Sequence, residues 1–239
     1  MTKATGYVER YRISIQVFLN GYSYKVTDSD GNTILRKDDN AVEDLYSSHL
    51  FSYKYEEYEL SFRTHECTLI PERMLHGWQE GDAGKKVLRE ALSEYTPIED
   101  DREIAAIGVP YLKAVLVYAL PGKGASLDAL LTSLPAGCRP LPEMYWMLEQ
   151  LHGTLKCHNR VIASYRDSLL TLLISEDDSL LLCNSFEAPD FTTALYFLFS
   201  SMKQFQFNPE VTTVYFRNSL SQEQQMLLYR YFSGVEVLE

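Results

Sequence analysis

The chain has 239 residues, 46% of them hydrophobic, and carries 22 lysines and arginines against 33 aspartates and glutamates, a formal net charge of -11. A chain of this length and apolar content can bury the core of one large domain or two small ones, which excludes a disordered polypeptide. A surface this acidic, with no basic cluster to offset it, repels phosphate backbones and anionic headgroups, so nucleic acid and an anionic membrane surface are excluded as main partners.

Residues 1 to 10 are polar and contain no apolar stretch of signal-peptide length, and no run approaches the roughly 18 to 20 apolar residues of a membrane span. The expectation is a soluble, cytoplasmic protein. From Tyr11 to Leu19 the alternation of Ile13, Ile15, Val17 and Leu19 with Ser14, Gln16 and Phe18 predicts a strand with one apolar face. Asn20-Gly21 then predicts a tight hairpin, because both residues tolerate the positive φ of a type I′ turn. A second strand, Tyr22 to Thr27, a turn over Asp28-Ser29-Asp30-Gly31-Asn32, and a third strand from Thr33 to Arg36 complete a meander. A helical, aromatic-rich pattern starts near Ala41 and passes through Tyr46, Phe51 and Tyr53.

Tyr58 to Arg63 reads as a strand, and Thr68-Leu69-Ile70-Pro71 leads into a short helix, Glu72 to Trp78. Gly81-Asp82-Ala83-Gly84 breaks the pattern, and Lys85 to Tyr95 resumes it with Val87, Leu88 and Leu92 on one helical face. After the acidic loop from Thr96 to Arg102 come two apolar strands, Ile104 to Val109 and Leu112 to Leu120, the second continuous enough to be buried on both faces. Pro121-Gly122-Lys123-Gly124 ends it. Ser126 caps a helix through Leu127, Leu130, Leu131 and Leu134, and an extended piece from Arg139 to Leu141 precedes a helix from Pro142 to His152.

The remainder repeats the opening pattern. Arg160 to Tyr165, Ser168 to Ile174 and Leu180 to Phe186 are strands separated by turns at Arg166-Asp167 and Ser175-Glu176-Asp177-Asp178. Pro189-Asp190 opens a helix from Phe191 to about Phe205, Val211 to Phe216 is a fourth strand, Ser221 caps a helix through Met226, Leu227, Leu228 and Tyr231, and Gly234 to Leu238 is a last strand. One module used twice predicts a first lobe over 1-153, with an insert at about 57-109, and a second lobe over 154-239.

Most chemistry-bearing residues have a plainer account. Gly122-Lys123-Gly124-Ala125-Ser126 sits where phosphate loops occur, yet lacks the Gly-Lys-Ser/Thr run of a P-loop and reads as a strand-to-helix turn. His152, Cys157 and His158 offer only three zinc ligands, and the adjacent pair on an extended segment would point to opposite faces. His65 has no identifiable partner, and the scattered cysteines Cys67, Cys138, Cys157 and Cys183 read as buried thiols. No GxSxG turn is present, and the carboxylate runs Asp177-Asp178 and Glu99-Asp100-Asp101 read as solvated turns. Tyr196, Phe197, Phe199, Phe205 and Phe207 cannot all face one core from one helix, so either that helix is sandwiched or one side is an exposed protein-binding patch.

Three antiparallel strands followed by helix, strand and helix, present twice, resemble the ribonuclease-H-like lobe duplicated in the actin-like ATPase superfamily. More narrowly, Leu19-Asn20-Gly21-Tyr22-Ser23, Cys67-Thr68-Leu69-Ile70-Pro71, and Leu181-Leu182-Cys183-Asn184-Ser185-Phe186 with Asp190-Phe191 resemble a bacterial family of uncharacterised cytoplasmic proteins, a domain of unknown function. The resemblance implies an α/β fold of two ribonuclease-H-like lobes in an actin-like ATPase arrangement, with mixed sheets flanked by helices. In that superfamily ATP and magnesium are held between the lobes by two turns, each usually an acidic residue with glycine and a small hydroxyl residue. The matching positions are Asn20, Gly21, Tyr22 and Ser23 in the first half and Arg166, Asp167 and Ser168 in the second. The first turn lacks a carboxylate, the second lacks a glycine, and no late Gly-Gly pair is present to receive an adenosine. The expectation is therefore a non-catalytic protein-interaction or scaffold module with no cofactor, an unknown protein partner or a second copy of itself. The alternative is an ATPase in which Asp167 orients magnesium or water while Asn20 to Ser23 and Ser168 contact phosphates. A third class is an enzyme using the inter-lobe cleft for unrelated chemistry.

Overall fold

The computed structural model describes residues 10-18, 21-41, 44, 54-122, 138-153 and 157-238. In chain order the strands of the first part are β1 (Arg12–Phe18), β2 (Gly21–Thr27), β3 (Thr33–Asn40), β4 (Glu57–Phe62) and β5 (Cys67–Pro71). Helix α1 (Gly81–Ser93) follows, then β6 (Ile104–Val109), β7 (Ala114–Ala119), β8 (Pro140–Pro142) and α2 (Glu143–Gly153). The last part comprises β9 (Asn159–Arg166), β10 (Leu169–Glu176), β11 (Ser179–Glu187), α3 (Phe191–Gln204), β12 (Thr213–Phe216), α4 (Gln222–Leu228) and β13 (Gly234–Val237).

The first sheet has the order β3-β2-β1-β4-β8. Its first three strands are antiparallel neighbours, whereas β4 runs parallel to β1 and β8 parallel to β4. The predicted alternation is realised: Ile13, Ile15 and Val17 are buried, and the residues between them are exposed or half-buried. The first hairpin differs from expectation by one position. Phe18 pairs with Gly21, so Gly21 is the first residue of β2 instead of a turn residue, and residues 19 and 20 lie outside the described residues. Gly21 is required by space rather than by φ, since a Cβ there would collide with the Asn40 carbonyl oxygen.

The second hairpin follows the sequence. Asp28 Oδ1 accepts from the amides of Asp30 (2.9 Å) and Asn32 (2.8 Å), and Gly31 takes φ +86°. β3 runs to Asn40, four residues beyond the expected end at Arg36. A register shift opposite Tyr22 and Tyr24 and the left-handed Asp39 (φ 55°) let the strand bend, and Asn40 Nδ2 donates to the Tyr22 carbonyl at 3.1 Å. The expected helices beginning near Ala41 and at Ser126 fall outside the described residues, apart from isolated positions such as Asp44.

A separate three-stranded antiparallel sheet has the order β5-β7-β6. Leu88 and Leu92 of α1 pack on its Ile70, Ile104, Val115 and Val117. The Gly81-Asp82-Ala83-Gly84 segment is the first turn of α1 and not a break before it. Gly84 is demanded by packing, because a Cβ there would strike the Trp78 backbone carbonyl. The expected helix from Glu72 to Trp78 is a single 3₁₀ turn, Glu72–Met74, and the strand expected from Leu112 starts at Ala114, after a 3₁₀ turn closed by left-handed Lys113. All six residues of β7 are buried, as its continuous apolar run predicts.

The second five-stranded sheet has the order β11-β10-β9-β12-β13 and repeats the first in directions as well as order: two antiparallel pairings, then β12 parallel to β9 and β13 parallel to β12. Its core joins Val161, Ala163, Leu170, Leu172 and Ile174 to Ala194, Leu198 and Met202 of α3. Both helix starts carry the expected caps: Asp190 accepts from Thr193 N at 2.7 Å, and Ser221 forms a reciprocal capping box with Gln224. The β9-β10 turn is centred on Asp167-Ser168, one residue later than expected, and both take φ above 50° without a glycine.

Grouped by contacts, the chain forms two compact units, residues 1-63 with 121-143 and residues 64-120 with 144-239. β4, the start of the stretch expected as an insert, is the fourth strand of the first sheet. Among the described residues no helix is long and apolar enough to cross a membrane.

Candidate functional site

The residues matching the first phosphate turn are built into β2. Asn20 lies outside the described residues, while Gly21, Tyr22 and Ser23 are all ladder positions. Tyr22 is 2% exposed and its ring stacks on Tyr24 with centroids 6.2 Å apart. The Ser23 hydroxyl accepts from the Asp39 amide at 3.1 Å. The face of Gly21 that a Cβ would occupy is covered by the Asn40 carbonyl. A carbonyl presents the negative end of its dipole, the opposite of the convergent amides that cradle a phosphate.

The second matching turn is the tip of a hairpin. Asp167 and Ser168 are exposed and successively left-handed, at φ 52° and 59°. An anion-binding nest needs right- and left-handed residues in alternation, so that successive amides converge. Here the pairing of Arg166 with Leu169 closes a type I′-like hairpin, and the Ser168 carbonyl accepts from Ala188 N at 2.7 Å.

Two polar networks occupy the carboxyl ends of the parallel strands, where open α/β sheets place their ligands. In the first unit Arg63 follows β4 and Glu143 follows β8. Arg63 Nε lies 3.0 Å from Glu143 Oε2, and Gln16 of β1 donates to Glu143 Oε1 at 2.6 Å. The charged pair is buried, with side chains 5% and 2% exposed, so each oxygen of the carboxylate already faces a protein donor. In the second unit Asn218 follows β12, and its Oδ1 accepts from Tyr165 N at 2.8 Å and Ser164 Oγ at 3.2 Å. Arg217 donates to Gln150 Oε1 at 3.0 Å. The sequence signal for both networks is a polar or charged residue directly after an apolar strand, at Phe62-Arg63 and Phe216-Arg217-Asn218, and an acid directly after Pro142.

The other candidates separate. His152 stacks on Tyr111, with centroids 4.0 Å apart and planes 6° from parallel. His158 instead meets Asp177 Oδ1 at 2.7 Å and Glu176 Oε1 at 3.4 Å, and the hydrogen bond to Asp177, with that carboxylate's charge, raises its pKa above the usual histidine value. Cys157 is exposed, 3.9 Å from the Tyr215 hydroxyl, so the buried-thiol expectation fails at this cysteine. Burial pushes the Cys183 thiol up to about 12 and Cys67 well above its ordinary value, and Cys67 Sγ lies 3.7 Å from Met144 Sδ. Among the described residues no group of three His, Cys, Asp or Glu side chains could hold a metal ion. Of the Gly122-to-Ser126 segment, only Gly122 is a described residue.

The aromatic helix is largely covered within its own unit. Phe197 stacks on Phe186 of β11 at 4.8 Å, and Phe199 lies 5.4 Å from Phe232 and 5.1 Å from Tyr231. What stays outside is a set of large side chains on α3, α4 and the segments beside them: Tyr196 is 66% exposed, and Met226, Tyr229 and Tyr231 are each more than half exposed. An apolar groove of about 440 Å³ at the end of α3, lined by Phe199, Met202, Phe207 and Pro209, adjoins Tyr231 through the Phe199–Tyr231 contact.

Comparison with known proteins agrees with this architecture. A family model described as protein of unknown function (DUF3822) matches residues 2–235. No curated protein matches the sequence. A Bacteroides thetaiotaomicron VPI-5482 protein with actin-like ATPase fold and unknown function superposes with TM-score 0.68 at 17% identity, covering 96% of this chain and 91% of that one. The cytoplasmic domain of EpsL, an inner membrane component of the type II secretion system of Vibrio cholerae, superposes with TM-score 0.50 at 13% identity, covering 89% and 84%. Likeness at these identities concerns the fold, and it agrees with the twice-used strand order of the two five-stranded sheets. The chain therefore belongs to the family of proteins of unknown function DUF3822 and has the actin-like ATPase fold.

Proposed function

We propose that this protein is a non-catalytic protein-interaction or scaffold module that retains the actin-like fold without its nucleotide grip. The observation that carries the reading is the use already made of the turn groups. Ser23 is engaged by the Asp39 amide, Gly21 is faced by the Asn40 carbonyl, and Asp167-Ser168 form a hairpin tip instead of a nest. The EpsL likeness supports it, since that domain has a related fold and belongs to an assembled secretion system. The exposed Tyr231, whose ring meets Phe199 of the apolar groove, is the proposed centre of the contact surface, and the exposed Tyr196 and Tyr229 are further candidates, tyrosine being a residue that combines large apolar area with a polar tip. The occupant is a protein, either another chain or a second copy of this one, and no cofactor is required.

The test is a steady-state assay of the purified full chain with ATP and magnesium. The expected result is no phosphate release above a protein-free control, with Asp167→Ala indistinguishable from the parent. Hydrolysis that Asp167→Ala abolishes would establish the alternative, a divergent ATPase in which Asp167 orients magnesium or water.

A further inference from the structure

The second unit contains a cavity of about 260 Å³ that belongs to neither phosphate turn nor to the tyrosine face. Arg160 of β9 and Ser175 of β10 are directly opposed across the antiparallel ladder, so their side chains emerge on the same face, and both line the cavity. Arg160 is 7% exposed and its Nη1 donates to the Leu151 carbonyl at 2.9 Å. Ser175 is 3% exposed, sits at a register shift in β10, and its hydroxyl finds no hydrogen-bond partner among the described residues. A buried hydroxyl left without a partner is destabilising, so this one is accounted for by whatever fills the space beside it.

The walls define the occupant. Leu148, Leu151 and Leu180 supply apolar lining, while the turn after β10 brings Asp177 and Asp178 to the exposed rim. Asp178 Oδ1 is 3.8 Å from Arg160 Nη2, and its side chain is fully exposed and can turn toward a ligand, whereas Asp177 is held by His158 at 2.7 Å. A purely anionic solute would meet two aspartates, and a purely cationic one would meet a buried guanidinium. A molecule carrying both charges on neighbouring atoms satisfies both, with its carboxylate against Arg160 and Ser175 and its ammonium against Asp178. The volume falls below the roughly 300 to 1,000 Å³ of sites for drug-sized ligands, which suits one small solute. We propose that this cavity binds a free α-amino acid with a branched apolar side chain, Ser175 and Arg160 holding the carboxylate and Asp178 the ammonium.

The experiment is isothermal titration of the full chain with L-leucine, 4-methylpentanoate and 3-methylbutylamine as probes. The expected result is saturable one-to-one binding of leucine, with the acid and the amine each about tenfold weaker or worse, because each lacks one of the two charged groups through which leucine would contact the cavity. Ser175→Ala should weaken leucine about tenfold without lowering Tm, since it removes a hydroxyl that has no partner in the protein. Asp178→Asn, on the exposed rim, should weaken leucine, which loses its ammonium contact, while 4-methylpentanoate binds no more weakly than to the parent, because the substitution removes a carboxylate facing an anion. Absence of saturable leucine binding, leucine affinity unaffected by both substitutions, or an acid or amine that binds as tightly as leucine would overturn the proposal.

Discussion

Gly21 shows how a residue can be read correctly for the wrong reason. Asn20-Gly21 announces a hairpin, yet the structure needs the glycine for clearance from the Asn40 carbonyl, a contact made by a strand 19 residues further along. Gly21→Ala should cost about 1–3 kcal/mol, the usual range for overpacking, measured as a fall in the denaturant midpoint at unchanged m-value. Arg63 is a second case, because its buried partner Glu143 lies 80 residues away and no local pattern joins them. Arg63→Met should cost about 3–5 kcal/mol by leaving a buried carboxylate without its cation, whereas replacing both residues by apolar ones of similar volume should cost much less. His158 is the residue-scale test of electrostatics. Its folded pKa is raised above 6.5 by Asp177, so the stability it contributes is fully present below that value and is lost as pH rises through the raised one. In Asp177→Asn an NMR titration should find the His158 pKa lower than in the parent; an unchanged value would remove the assigned cause.

At the scale of elements, the strands were legible because a period of two is a local property: β1 announces itself through Ile13, Ile15 and Val17, and β7 through an unbroken apolar run. Turn positions were less so. Asp167 and Ser168 adopt left-handed backbone without glycine, so composition placed that turn one residue early, and Gly81 to Gly84 looked like a break although they form the first turn of α1. At the exposed β9-β10 tip the ladder register that pairs Arg166 with Leu169 sets the turn, and at Gly84 close approach to the Trp78 carbonyl does, neither of which is readable from local composition. Helix caps are the opposite case, set by a side chain three residues from its target. Ser221→Ala removes a capping box and should cost about 1 kcal/mol, read as a lowered denaturation midpoint. Asp190→Ala, which cuts one bond to Thr193 N, should cost a similar amount.

For the whole molecule, the duplication was legible because each half spells out the same meander, and the structure shows the two sheets sharing strand order and strand direction. The candidate site was only half legible. The resemblance supplied two turn segments, one without a carboxylate and one without a glycine, but not the groups that engage them, since Asp39, Asn40 and Ala188 reach Ser23, Gly21 and Ser168 only once the sheets have formed. For the same reason the Gln16–Arg63–Glu143 network was invisible: three separate segments meet at the carboxyl ends of three adjacent strands. The central proposal is that this chain has the actin-like fold and does not bind a nucleoside triphosphate. Its most direct test is a thermal-shift titration of the full chain with Mg-ATP. A ligand at 100 times its dissociation constant adds about 2.7 kcal/mol of stability, so the account predicts an unmoved Tm up to millimolar nucleotide, and a saturable rise in Tm that Asp167→Ala removes would contradict it.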